Sequence, residues 1–326
     1  MKTNGRLVTW RALGVIAALS LAASPAAAQP ATKARPSLRT PWGDPDLQGL
    51  WTNATITPFE RPRELGDKQT LSAEEAAAFE KQTLQARDAD RREGAGPDAD
   101  LALAYNQFWY DRGTKVVPTR RTSLVVDPPD GRIPSLTVEG QRRADARAAA
   151  RRSSPADGPE DRPLAERCIL WPTAGPPMLP SGYNNNYQIL QTPTYVVVLV
   201  EMIHDVRIIP LDGRPHASPT IRQWLGDSRG RWEGTTLVVT TTNFTNKTNF
   251  RGSSESLRLT ERFTRVDAET INYEFTVEDP TTFTKPWTAA VPMTKAEGPI
   301  FEYACHEGNY GMTNLLSGAR AEEKDR

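Results

Sequence analysis

The C-terminal half of this chain predicts an antiparallel β-barrel, and three observations predict it. Strand-length runs rich in β-branched and aromatic residues recur from Tyr187 onward with turn residues between them. Several alternate cleanly: Ile271, Tyr273, Phe275 and Val277 fall on one face, Asn272, Glu274, Thr276 and Glu278 on the other. Links such as Asp267-Ala268-Glu269 are short enough for hairpins, and no helical pattern intervenes. Such a meander closes on itself to remove its edges, a two-sheet sandwich being the alternative. The expected strands are Tyr187–Gln191, Tyr195–Met202, Val206–Leu211, Ile221–Leu225, Gly230–Trp232, Thr236–Phe244, Leu257–Val266, Thr270–Glu278, Trp287–Met293 and Ile300–Cys305.

Residues 1–28 read as a signal peptide: Lys2, Arg6 and Arg11 precede an apolar run from Ala12 to Ala23, and Ala26-Ala27-Ala28 makes a cleavage site. The expected location is periplasmic or secreted. No later run is long and apolar enough to span a membrane. Without the leader, 37 basic residues face 40 acidic ones. That mild acidity argues against a nucleic-acid partner, which phosphate neutralisation would require to be basic.

Residues 29–166 form the expected N-terminal region, a few helices and extended arms wrapping a barrel of residues 167–326. It opens on a tether, Gln29 to Thr40, and a turn-rich stretch ending in Gly49-x-Trp51. Ser72 and Glu75 make a capping box for a surface helix running to about Arg92. Leu101 to Tyr110 is an apolar, aromatic run that must dock, and Arg121 to Val126 is a strand ending at a Pro-Pro-Asp-Gly turn. Gly140 to Arg152 is rich in Arg and Ala with no apolar face, hence a solvated helix or disorder. Two cysteines, Cys168 and Cys305, in an exported chain suggest a disulfide, two buried thiols being the alternative.

The segments Asn106 to Lys115, Thr122 to Pro134, Glu201 to His216, Trp224 to Gly234, Glu261 to Pro280 and Phe301 to Met312 resemble a family of exported, functionally uncharacterised bacterial proteins. The resemblance implies export and no mechanism. The meander with Gly49-x-Trp51 is similar to a calycin or lipocalin barrel, which implies fold alone.

Candidate chemistry centres on Tyr195 to His216, where polar residues interrupt a run apolar on both faces of a strand. Glu201, His204, Asp205 and Arg207 there, with Glu302 and His306 on the last expected strand, are candidate acid/base groups for a lyase, isomerase or hydratase working in a barrel pocket. Period-two alternation would turn Glu302 and His306 inward and Cys305 outward. A structural ion-pair network of Glu201, Arg207, Arg262 and Glu274 competes with that reading. So does a non-catalytic carrier of an apolar small molecule, its cavity lined by aromatic residues. A metal on His204, His216 and His306 is a third possibility, although no two are closely spaced. No nucleotide-binding glycine motif or nucleophile elbow is present, so no cofactor is expected.

Overall fold

The computed structural model describes residues 38–91, 105–248 and 250–324. The expected leader, most of the tether and the start of the Leu101–Tyr110 run lie outside them. Among the described residues are ten strands: β1 (Gly49–Thr52), β2 (Val125–Asp127), β3 (Asn186–Gln191), β4 (Tyr195–Val200), β5 (Val206–Pro210), β6 (Asp227–Glu233), β7 (Thr236–Thr242), β8 (Arg258–Arg265), β9 (Thr270–Glu278) and β10 (Trp287–Lys295). Three helices accompany them: α1 (Ala73–Ala86), α2 (Val138–Ser153) and α3 (Tyr310–Lys324). None is long and apolar enough to cross a membrane.

Nine strands run in the order β5-β4-β3-β1-β10-β9-β8-β7-β6, every pair antiparallel, and form a nearly closed barrel. The free edge of β10 is shared. Trp51 and Thr52 of β1 pair with Lys295 and Thr294 at one end, while β2 sets Asp127 and Val125 opposite Thr288 and Ala289 at the other. The N-terminal region therefore does more than wrap the barrel: it supplies the strands that extend the sheet past β10. At the seam, β5 lies against β6 through side chains. A Cβ on Gly230 would stand 2.7 Å from Leu211 Cδ2 and 2.9 Å from Ile209 Cγ2, so glycine is what lets the two edges approach.

The interior is filled. Trp51, Tyr187, Phe263, Tyr273, Phe275 and Trp287 are all buried within it. Their rings interlock, with Phe263 and Tyr273 centroids 4.9 Å apart and Phe275 and Trp287 5.9 Å apart. Met178, from the irregular chain before β3, is buried among them, and its N–H donates to the Tyr273 hydroxyl at 3.0 Å.

Three expected elements come out differently. Ile221–Leu225 is not a strand; Gln223 alone makes an isolated bridge to Phe244. Gly230–Trp232 is the middle of the longer β6. Ile300–Cys305 is irregular chain, because β1 already occupies the edge of β10 beside which another strand would pair. After β10 the chain leaves the sheet, held by the Ala296 N–H on the Leu50 carbonyl at 2.9 Å and by the Cys168–Cys305 disulfide. The capping box of α1 forms as read, with the Glu75 N–H on Ser72 Oγ and the Ser72 N–H on the Glu75 carboxylate. The Arg- and Ala-rich segment is helical, capped by Thr137, whose Oγ1 accepts from the Gly140 N–H at 3.0 Å.

Candidate functional site

The candidate residues from Tyr195 to His216 separate at a tight turn. β4 and β5 form a hairpin with Val198 opposite Arg207, linked by Glu201 to Asp205. Within the link Ile203 takes φ 63° and ψ 13°, a left-handed conformation costly for a β-branched residue. The turn resets the alternation: Val196, Val198 and Val200 point inward, and beyond it Arg207 and Ile209 do. Outward, Val206 and Ile208 are exposed, so this stretch is not sheltered on both faces.

Arg207 enters the filled core. Its Nη1 donates to Glu261 Oε1 at 3.0 Å and its Nη2 to Glu261 Oε2 at 2.5 Å. The Tyr273 hydroxyl completes the carboxylate at 2.8 Å, and Nη2 reaches Ser228 Oγ across the seam at 3.4 Å. Burial works against the charge on Arg207, but the facing Glu261 carboxylate outweighs it and raises the guanidinium pKa. This bidentate pair is an internal tie. Of the network expected as an alternative, Arg262 instead meets Glu233 on the surface at 2.7 Å. Glu261 was the missed partner, and its signal was a charged residue between Leu259 and Phe263 on the inward face of β8.

Glu201 is buried at the other side of the turn. It accepts from Asn186 Nδ2 at 2.8 Å and from the Phe301 N–H at 3.0 Å. Asp111 is exposed as a residue, but its carboxyl end is shielded enough that desolvation first, and the Glu201 charge second, raise its pKa. Beside this pair Tyr183 stacks on Tyr303 with centroids 6.5 Å apart, and Trp171 closes the group at 6.2 Å from Tyr183. Burial, helped by the neighbouring phenols of Tyr303, Tyr105 and Tyr110, pushes the Tyr183 pKa up to about 12. Glu302 and His306 are exposed on the irregular chain after β10, so the strand parity that would have turned them inward does not operate. Asp205 lies in the turn, its carbonyl accepting from the Val200 N–H at 2.8 Å. The His204 side chain lies outside the described residues. His216 is engaged by Asp227 Oδ2 at 2.8 Å, and among the described residues no group of three His, Cys, Asp or Glu side chains could hold a metal.

Comparison with protein-family models, with curated proteins and with solved structures returned no match.

The Glu201 turn shares its end of the barrel with two adjoining cavities that no candidate residue lines. A 240 Å³ cavity has Trp171, Pro172, Pro176, Trp224 and Phe250 for walls. A 320 Å³ cavity beside it is lined by Thr55, Thr57, Phe59, Arg87, Arg112 and Ser181 among others. Thr173, Leu179 and Arg251 line both. These walls come from the β7–β8 link, the chain before β6, the irregular segment before β3 and, for the 320 Å³ cavity, the chain after β1, the end of α1 and the chain before β2, which is why runs of regular periodicity did not reveal them.

Proposed function

We propose that this chain is an exported protein, periplasmic or secreted, that binds an apolar small molecule at the barrel end without transforming it. The observation that carries the reading is the 240 Å³ cavity, whose tryptophan, phenylalanine and proline walls, among the described residues, include no Asp, Glu, His, Cys or Lys. Proton transfer requires such a group within reach of the ligand; a carrier requires shape and apolar lining. The filled barrel interior supports the same choice, since it leaves the mouth as the place for a ligand. Titration of an uncharged apolar fluorophore such as N-phenyl-1-naphthylamine is the test. Trp224→Ala should weaken binding about tenfold or more, the scale of losing one packed aromatic contact. Unchanged affinity in that variant sinks the proposal.

A second reading, acid/base catalysis at Glu201, draws support from the strained Ile203 next to it and from the raised pKa of Asp111. It predicts an activity lost in both Glu201→Gln and Asp111→Asn, a result the carrier reading does not allow.

A further inference from the structure

Three arginines, Arg87, Arg112 and Arg251, line the 320 Å³ cavity, and among the described residues none of them forms a salt bridge, although the Glu60 charge reaches Arg251. Arg251 stands over the Phe59 ring at 4.4 Å, and Arg112 over the Tyr110 ring at 3.6 Å with its Nη1 on the Arg87 carbonyl at 3.4 Å. The rings hold Arg112 and Arg251 from one face, and a guanidinium stacked in this way presents its N–H groups in the ring-parallel plane, the geometry that fits an oxyanion bidentately. Arg251 is also held at φ 51°, a left-handed conformation that persists only where surroundings impose it. Although the residue as a whole is exposed, its guanidinium end is shielded enough that desolvation lowers its pKa, with Glu60 opposing. At the same junction the Thr173 hydroxyl is buried with no hydrogen-bond partner, a group that costs about 1–3 kcal/mol unless something meets it.

We infer that the ligand is an organic acid: an apolar body in the 240 Å³ cavity and a carboxylate or phosphate in the 320 Å³ cavity, gripped by Arg251 and Arg112 with Thr173 at the junction. This rests on the carrier reading above and names the chemical class that the carrier takes. The two cavities meet at Thr173, Leu179 and Arg251, which line both. Neither cavity alone extends far into the usual range of about 300–1,000 Å³ for ligand sites, and joined they fall within it. A neighbouring groove bordered by Arg147, Arg151 and Lys247 is also basic, but it includes Glu160 and Asp161 in its lining and serves as the internal control.

The experiment is calorimetric titration of the full chain with octanoate, octyl phosphate, octanol, acetate and inorganic phosphate. The expected result is that octanoate or octyl phosphate binds at least tenfold more tightly than octanol, the tighter of the two naming the acid. Arg251→Gln and Arg112→Gln should each remove about tenfold of the acid's affinity, and Arg151→Gln should leave it unchanged; thermal melts establish that each variant is folded. Equal binding of octanol and both acids overturns the inference and leaves the carrier reading standing. Failure of all three eight-carbon probes overturns both. Tight binding of inorganic phosphate or acetate alone removes the apolar body from the proposal, and loss of affinity in Arg151→Gln equal to that in Arg251→Gln reduces the effect to general charge; either outcome overturns it.

Discussion

Arg207 and Glu261 show how a charged pair can belong to a barrel core. Each alone would carry a charge where water cannot follow; together they satisfy one another, with Tyr273 and Ser228 using the remaining positions. Arg207→Met should therefore cost about 3–5 kcal/mol, because it strands the Glu261 carboxylate, and the double replacement Arg207→Met with Glu261→Leu should cost less than either single change. Guanidinium-induced unfolding measures both. The opposite sign applies to Asp111. Its folded pKa is raised, so the folded state holds the proton more firmly, and stability present below the ordinary carboxylate range is lost as pH rises through the folded value. Asp111→Asn removes that loss: its melting temperature should exceed the parent's at pH 8, with the advantage shrinking toward pH 4. An advantage that is constant with pH would show that the Asp111 charge is not what matters. The sequence pointed to Arg207 through an interrupted apolar run, but its partner stands 54 positions away and only the strand order brings them together.

At the scale of elements, the hairpins were legible because a period of two and a short link leave few alternatives. β8, β9 and β10 lie within a residue or two of where alternation put them. What alternation cannot see is a change of direction or a missing neighbour. The Ile203 turn reset the parity of β5, and the segment from Ile300 to Cys305 found the edge of β10 taken by β1. α2 was readable as a solvated helix with disorder as the alternative, and its docking was not readable. It lies against the end of β9 through Gly140, where a Cβ would meet the Thr282 carbonyl at 2.6 Å, and through Arg143, whose Nη2 reaches Thr282 Oγ1 at 2.6 Å. Gly140→Val should displace the helix and cost about 1–3 kcal/mol, the range for overpacking. Hydrogen exchange at the start of α2 should rise in that variant and stay unchanged in the exposed Arg152→Ala.

Over the whole molecule, the chain that follows the barrel is held by long-range ties beyond the Ala296–Leu50 bond. Glu201 accepts the Phe301 N–H, and Cys168 is bonded to Cys305 across a separation of 137 residues. A loop of that length gives the bridge up to about 4–5 kcal/mol on the chain-entropy account. Urea unfolding with and without reductant should show a loss of that order; a difference below about 1 kcal/mol would mean the reduced chain stays as constrained as the oxidised one. The disulfide also fits the export that the leader predicts.

The amino-acid sequence by itself determined the hairpin order from β7 to β10 and the capping of α1, and favoured a barrel over a sandwich and a disulfide over two buried thiols, because each reading follows from local periodicity or local chemistry. Tertiary structure alone decided that β1 and β2 complete the sheet, that Arg207 faces Glu261, and that Arg87, Arg112 and Arg251 meet around one cavity. Those are relations between residues far apart in the chain and set in irregular loops, where no repeat of two or of 3.6 ties a residue to the face it will occupy.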